Sequence, residues 1–213
     1  MFNKAALWDL SYGIYIVSSL DNTRPTGCCA NCAVQLTHNL IAVSINHTNY
    51  TNEVIKKNKG FAISILSEKS NSEIISIFGF SSGRDRNKFD NIKYRTVNNL
   101  AIVEDSCAYI TLKTVKEVEF DTHTLFIGEI TDGDIINNNI PMTYKYYHDV
   151  IKGRAPKAAP TYIAPDDSIK EKNNKKRFRC KICGYIYEGD INLEKDDFVC
   201  PVCKRPKSSF EEI

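Results

Sequence analysis

The run Tyr109-Ile110-Thr111-Leu112-Lys113-Thr114-Val115-Lys116-Glu117-Val118-Glu119-Phe120 leads through Asp121-Thr122-His123-Thr124 into Leu125-Phe126-Ile127-Gly128-Glu129-Ile130-Thr131-Asp132-Gly133-Asp134-Ile135-Ile136. Both flanks read as long strands, with Thr122-His123 in the turn of a hairpin. Gly13-Ile14-Tyr15-Ile16-Val17 is strongly β-prone, and Leu40–Ile45 and Phe61–Leu66 read as further strands. Helices are predicted over Met1–Leu10, over Tyr50–Lys57 with Asn49 or Thr51 near the cap, and over Pro141–Lys152. A fourth, Ser72–Phe80, carries Ile74, Ile75, Ile77 and Phe78 at helical spacings. The strands follow one another without βαβ alternation. This predicts a mainly β fold, an antiparallel barrel with a few short helices rather than a doubly wound sheet.

Charge divides the 213 residues into three. Residues 1–150 hold 14 basic and 16 acidic side chains, 151–177 hold 8 and 3, and 178–213 hold 6 and 7. The middle piece has three of the seven prolines, the run Lys170-Glu171-Lys172-Asn173-Asn174-Lys175-Lys176-Arg177 and little apolar periodicity, so it reads as a linker. The expected division is a barrel domain at 1–152, a basic linker at 153–177 whose start packs on the barrel, and a small metal domain at 178–213. The basic run reads as a solvated hinge rather than a nucleic-acid site, because both flanking pieces are slightly acidic. No apolar run approaches the ~18 residues of a membrane span. Met1-Phe2-Asn3-Lys4-Ala5-Ala6-Leu7-Trp8-Asp9 lacks the apolar stretch of a signal peptide. The expectation is a soluble cytoplasmic protein, in which structural disulfides are rare.

Eight cysteines in a reducing compartment then need another explanation. Cys180, Cys183, Cys200 and Cys203 form two Cys-x-x-Cys pairs, the pattern of a four-thiolate metal site. About 36 residues cannot bury enough apolar surface to fold alone, so a metal is expected to hold them together. Such a site takes iron or zinc. Cys29 and Cys32 lie three apart in an extended stretch, which puts them on opposite faces as two independent buried thiols rather than a redox pair. Cys107 reads as core. The glycines at 79, 83 and 128 do not form a dinucleotide fingerprint.

Cys180-Lys181-Ile182-Cys183-Gly184-Tyr185-Ile186-Tyr187, Asp196-Asp197-Phe198-Val199-Cys200-Pro201-Val202-Cys203 and the ending Pro206-Lys207-Ser208-Ser209-Phe210-Glu211-Glu212-Ile213 resemble a rubredoxin domain. The resemblance implies one iron on four cysteines, single-electron transfer, and an aromatic core of Tyr185, Tyr187, Phe198 and Phe210. Two departures stand out. The insert between the pairs is short, as in the rubredoxin-like domain of rubrerythrins. Lys204 occupies the place of a glycine, where φ > 0 lets backbone N–H groups point at sulfur. A zinc ribbon is the alternative.

Four further stretches, at residues 27–37, 43–51, 78–89 and 122–129, resemble the flavin reductase-like, FMN-binding split-barrel family and within it the flavoredoxin group. The tail from Tyr146 to Tyr162 follows that group's pattern too. For the FMN phosphate, the helix starting near Thr51 offers N–H groups and a hydroxyl, and Ser82, Arg84 and Lys88 offer cationic and hydroxyl partners. The ring edge would meet backbone and side chains of Asn31, Cys32, Val34 and Gln35, with Ser44 and Asn46 on the neighbouring strand. The resemblance gives His123 a catalytic place near flavin and nicotinamide; His148 reads as a helix-face residue. Cys32 stands where the family has a hydroxyl. The two modules together resemble the high-molecular-weight rubredoxin group of anaerobes. That implies a homodimer carrying electrons from NAD(P)H through FMN to iron, and on to a partner such as a flavodiiron oxygen or nitric oxide reductase. The alternative is a flavin reductase or FMN-binding protein with a structural zinc ribbon used for docking.

Overall fold

In the computed structural model, the described residues are Leu7, Leu10–Ile151, Gly153, Ala155, Pro156, Ala159 and Lys176–Ile213. The helix predicted over Met1–Leu10 and most of the basic linker lie outside them.

The barrel domain is built from β1 (Tyr15–Asp21), β2 (Arg24–Ala30), β3 (Ala33–Gln35), β4 (Leu40–Asn46), α1 (Tyr50–Asn58), β5 (Gly60–Ile65), α2 (Ser72–Phe80), β6 (Tyr94–Val97), β7 (Leu100–Val103), β8 (Ala108–Glu119), β9 (His123–Ile135) and α3 (Tyr144–Asp149). One antiparallel sheet runs in the order β2-β1-β5-β8-β9-β4-β3. Its two edge strands, β2 and β3, are separated in sequence only by Asn31 and Cys32. Opposite edges joined by two residues force the sheet to curl into a half-barrel. Gly128 sits where strands press together. A Cβ there would fall 2.8 Å from both Leu112 and the Phe61 ring.

Two apolar cores fill the domain. Val17, Val43, Ile45, Ile55, Phe61, Ile63, Leu112 and Phe126 pack inside the barrel. Ile16, Leu66, Ile74, Ile75, Phe78, Met142, Tyr144 and Tyr147 pack α2 and α3 onto its outside. Helix α2 matches its prediction because its isoleucines and Phe78 face that second core. The last helix is shorter than predicted: Pro141 bridges to Ser67 and Met142 bonds to Leu66, so the chain stays extended until Thr143 Oγ1 caps Tyr146 N–H.

The C-terminal module is a three-stranded sheet of β11 (Ile186–Glu188), β10 (Arg177–Cys180) and β12 (Phe210–Glu212). Its predicted aromatic core forms. Phe198 packs against Tyr187 and Phe210 at centroid distances of 5.4 and 5.9 Å, and Tyr185 meets Phe210 edge-on.

Candidate functional site

The two cysteine pairs make matching turns. Gly184 N–H donates to Cys180 O at 2.8 Å, and Lys204 N–H donates to Cys200 O at 2.9 Å. Both residues are left-handed, Gly184 with φ 76° and Lys204 with φ 55°. Lys204 thus keeps the turn that glycine would make, at a backbone cost of ~1 kcal/mol. The turns bring all four sulfurs within 4.8 Å of one another, each side chain buried. Sγ–Sγ distances are 3.6 Å for Cys180–Cys203 and 3.5 Å for Cys183–Cys200. Hydrogen bonds from Cys183 and Cys200, with backbone N–H groups of residues 182 and 183, hold Cys180 below the ordinary thiol range. Hydrogen bonding to Cys180 pushes Cys183 and Cys200 up. Four thiolates this close repel unless a cation lies between them, so the donor set fits a thiolate-bound metal ion.

In the barrel, a cleft enclosing about 630 Å³ of space open to solvent has two unlike walls. Asn31, Ser44, Asn46, Asn49 and His123 form the polar side, and Ile14, Ile75, Phe78, Tyr144 and Tyr147 form the apolar side. Register explains the polar side. Asn46 of β4 pairs with His123 of β9, and Ser44 N–H bonds to Cys32 O at 3.2 Å across the Asn31-Cys32 corner. Because that corner breaks β2 from β3, Cys29 and Cys32 do not share the single extended stretch expected from sequence. His123 opens β9 rather than sitting in a free turn, and its Nδ1 lies 2.7 Å from Thr122 Oγ1. Asn52 holds this framework together, donating to Ile45 O at 2.9 Å and to Thr124 Oγ1 at 3.0 Å. Beside it, Lys56 holds Glu119 below the usual carboxylate range, with help from Thr124 and His47.

A cationic corner adjoins the Asn49 end. The side chain of Asn49 does not cap α1; Asn52 N–H bonds to Asn49 O at 2.9 Å, and the Tyr50 and Thr51 N–H groups ahead of it lie at the positive end of this nine-residue helix, which suits an anion. The Arg24 and Arg84 guanidiniums both lie over the Tyr50 ring, at 5.7 and 5.3 Å. Arg84 also pairs with Glu53 and donates to Thr48 O, and Ser82 Oγ accepts from Arg84 N–H. Gly83 lets this loop lie flat, since a Cβ would fall 2.4 Å from Thr26 Oγ1.

Of the residues singled out in the sequence, Asn31, Ser44, Asn46 and His123 meet in the cleft, and Ser82 and Arg84 lie at the cationic corner. Cys32 stands half-buried at the turn between β2 and β3. Thr51 points inward and bonds Cys28. Lys88 is buried, donating to Gly27 O at 2.9 Å and Phe78 O at 3.1 Å, so it ties its loop to β2 and α2. Burial pulls its pKa down. Val34 and Gln35 are exposed on edge strand β3. Sequence reasoning gave the cleft no apolar wall. Ile14 ahead of β1, Ile75 and Phe78 of α2, Tyr144 and Tyr147 of α3, and Pro156 come from separate segments, and the tyrosine-rich run before Gly153 is the one local signal of that wall.

The flavin reductase like domain family matches residues 8–153, and the rubrerythrin, rubredoxin-like domain family matches residues 178–211. A high molecular weight rubredoxin of Moorella thermoacetica is 36% identical over 98% of both chains. A ferric-chelate reductase (NAD(P)H) of Archaeoglobus fulgidus is 37% identical over 74% of this chain and 96% of its own. The structure of the flavin reductase PheA2 in its native state superposes with a TM-score of 0.56 at 27% identity, covering 66% of this chain and 89% of that one. A flavin-binding fold and a four-cysteine metal centre on one chain make an oxidoreductase of it. The chain belongs to the flavin reductase-like family, with a rubredoxin-like domain joined to its C-terminal side.

Proposed function

We propose that the chain carries electrons from NAD(P)H through FMN to a single iron held by Cys180, Cys183, Cys200 and Cys203. The acceptor in this reading is a partner protein of the flavodiiron oxygen or nitric oxide reductase type, and the working unit is a homodimer with FMN at the subunit interface. The observation that carries the reading is the pairing, on one chain, of a cleft with polar and apolar walls and a converging four-sulfur site. When bound, FMN converts a two-electron hydride into single electrons that iron can accept. With both groups bound, Cys180, Cys183, Cys200 and Cys203 would hold the ion that takes the two electrons one at a time, and the hydride's proton would go to solvent.

The chain's own groups have simple roles. Asn31 and Ser44 orient the ring edge, His123 faces the reacting side, and α1 with Ser82 and Arg84 holds the phosphate. Phe78, Tyr144 and Tyr147 exclude water from the ring.

One visible spectrum tests the reading. Iron–thiolate absorption over a flavin spectrum is expected. A colourless metal domain that contains zinc by elemental analysis would sink it and leave a flavin reductase with a docking ribbon. Anaerobic NADH or NADPH should bleach flavin first and iron after it. Cys183→Ser should remove the iron absorption and leave flavin reduction intact.

A further inference from the structure

The four-cysteine module rests on the barrel at one small patch. Phe80, at the end of α2, and Ile151, just past α3, pack against the cluster of Cys180, Cys183, Cys200, Val202 and Cys203. Ile151 at the same time packs against the outer barrel core. Ser72 Oγ donates to Pro201 O at 3.3 Å, reaching the turn between the second pair of cysteines. Val202 in that turn is fully buried, whereas Ile182 in the first turn is 48% exposed. The module therefore meets the barrel through its second turn and leaves the first turn to solvent.

Tyr147 links this contact to the cleft. Its side chain is 2% exposed and lines the cleft together with Cys29. Its hydroxyl is within electrostatic reach of Cys29, Cys183 and Cys200. Gly153 makes room for the ring: a Cβ there would fall 2.0 Å from it. Tyr147 packs in the outer core together with Ile151, which in turn packs on the sulfur cluster.

We propose that Ser72, Phe80 and Ile151 form a docking face for the chain's own C-terminal module, with Tyr147 as the positioning residue that sets the metal centre against the flavin cleft. This rests on the electron route proposed above and adds the place where the electron crosses. One electron leaves the reduced flavin and one iron(III) becomes iron(II), with no bond made or broken. Transfer falls steeply with distance, so a docked module accepts electrons far faster than a displaced one. The patch is small and mostly apolar, so a few substitutions are enough to release the module.

The test uses the full chain loaded with iron and FMN. The double variant Phe80→Ser/Ile151→Asp removes the apolar contact. Ser72→Glu sets a carboxylate against the Pro201 carbonyl, and an acidic residue in the first turn of α2 favours that helix, so the barrel keeps its fold. Hydrogen exchange is read at residues 72–80 and 198–204, and iron reduction is followed by anaerobic stopped flow. Both variants should lose protection at both segments and reduce iron at least about tenfold more slowly, the effect of ~1.4 kcal/mol against docking. Flavin reduction and iron–thiolate absorption should stay as in the parent. Parent-like exchange, or parent-like iron reduction, in both variants overturns the docking face. A parent whose flavin bleaches while its iron stays oxidised refutes the electron route instead, and the exchange data then judge docking alone.

Discussion

Cys28, Cys29, Cys32 and Cys107 enter the barrel one by one, each a thiol whose pKa burial raises. Cys180, Cys183, Cys200 and Cys203 enter their module as a set, with four sulfurs inside 4.8 Å. The same residue type is apolar filler in one region and framework in the other. The difference lies in what else holds each region together. The barrel has two aliphatic and aromatic cores. The module's buried core is the four cysteines and Val202, with Tyr185 and Phe210 packed on it. Stability in the first region resides in burial, and in the second it resides in a bond set that only a cation completes.

Removing the metal is the harshest way to break this comparison. Apparent metal-binding energies in small cysteine modules reach about 10–16 kcal/mol and act as folding energy. Chelation, or Cys200→Ser, should abolish ordered structure at 178–213 and leave the barrel's thermal transition in place. Two-dimensional NMR of the labelled chain reads both regions at once. Loss of barrel dispersion with the metal would show that the regions are not independent.

The converse break is Phe126→Ala. Phe126 is fully buried in the inner core, and such a deletion costs about 3–5 kcal/mol. Urea unfolding of the barrel should shift by that amount, while the metal's thiolate absorption in native buffer stays unchanged. A shift under 1 kcal/mol would mean that the inner core is not where the barrel's stability resides.

The two cysteine sets should also answer pH with opposite signs. Burial pushes Cys29 up from 9.0 to about 12, with Cys28 adding to the rise. Between these values the native state keeps a proton that the unfolded chain releases. Stability contributed by Cys29 is therefore whole below pH 9 and falls as pH rises toward 12, by ~1.4 kcal/mol per unit at most. Lys88, whose pKa burial lowers, works the other way in the same range, so the parent is compared with Cys29→Ala. The parent should lose more stability than the variant between pH 8.5 and about 10.5. In the module, acid protonates the sulfurs in competition with the metal, so metal retention fails as pH falls.

The four-cysteine cluster was legible because its cysteines lie in two short local turns whose spacing brings the sulfurs of each pair together. The hairpin of β8 and β9 and helix α2 were legible for a similar reason, since their patterns are local. Strand β2 was not, because Pro25 and Gly27 weigh against a strand interior. The structure tolerates Pro25 because β2 is an edge of the sheet. The β6–β7 hairpin turns on Asn98-Asn99, both left-handed at φ 49° and 61°, a turn signal that its short flanking runs did not amplify. The cleft was half legible. The residues of its polar side lie within recognisable motif stretches on β4, β9 and the β2–β3 corner, but its apolar side gathers residues from α2, α3 and the segment beyond, which no single window of sequence displays.

The gentlest probe is Lys204→Gly, which compares the module's two turns directly. Gly184 and Lys204 occupy equivalent places, each donating its N–H back to the first cysteine of its pair. Lys204 holds φ 55° with a Cβ, at a cost of ~1 kcal/mol. Glycine removes that strain but adds freedom to the unfolded chain, which takes back about 0.4–1 kcal/mol. The net change should be small, within about 0.5 kcal/mol, and metal release by a chelator at fixed pH should keep its half-time within about threefold. Slowing by tenfold or more would show that the lysine distorts the turn beyond its backbone angle. Acceleration of that size would show that the side chain itself supports the site.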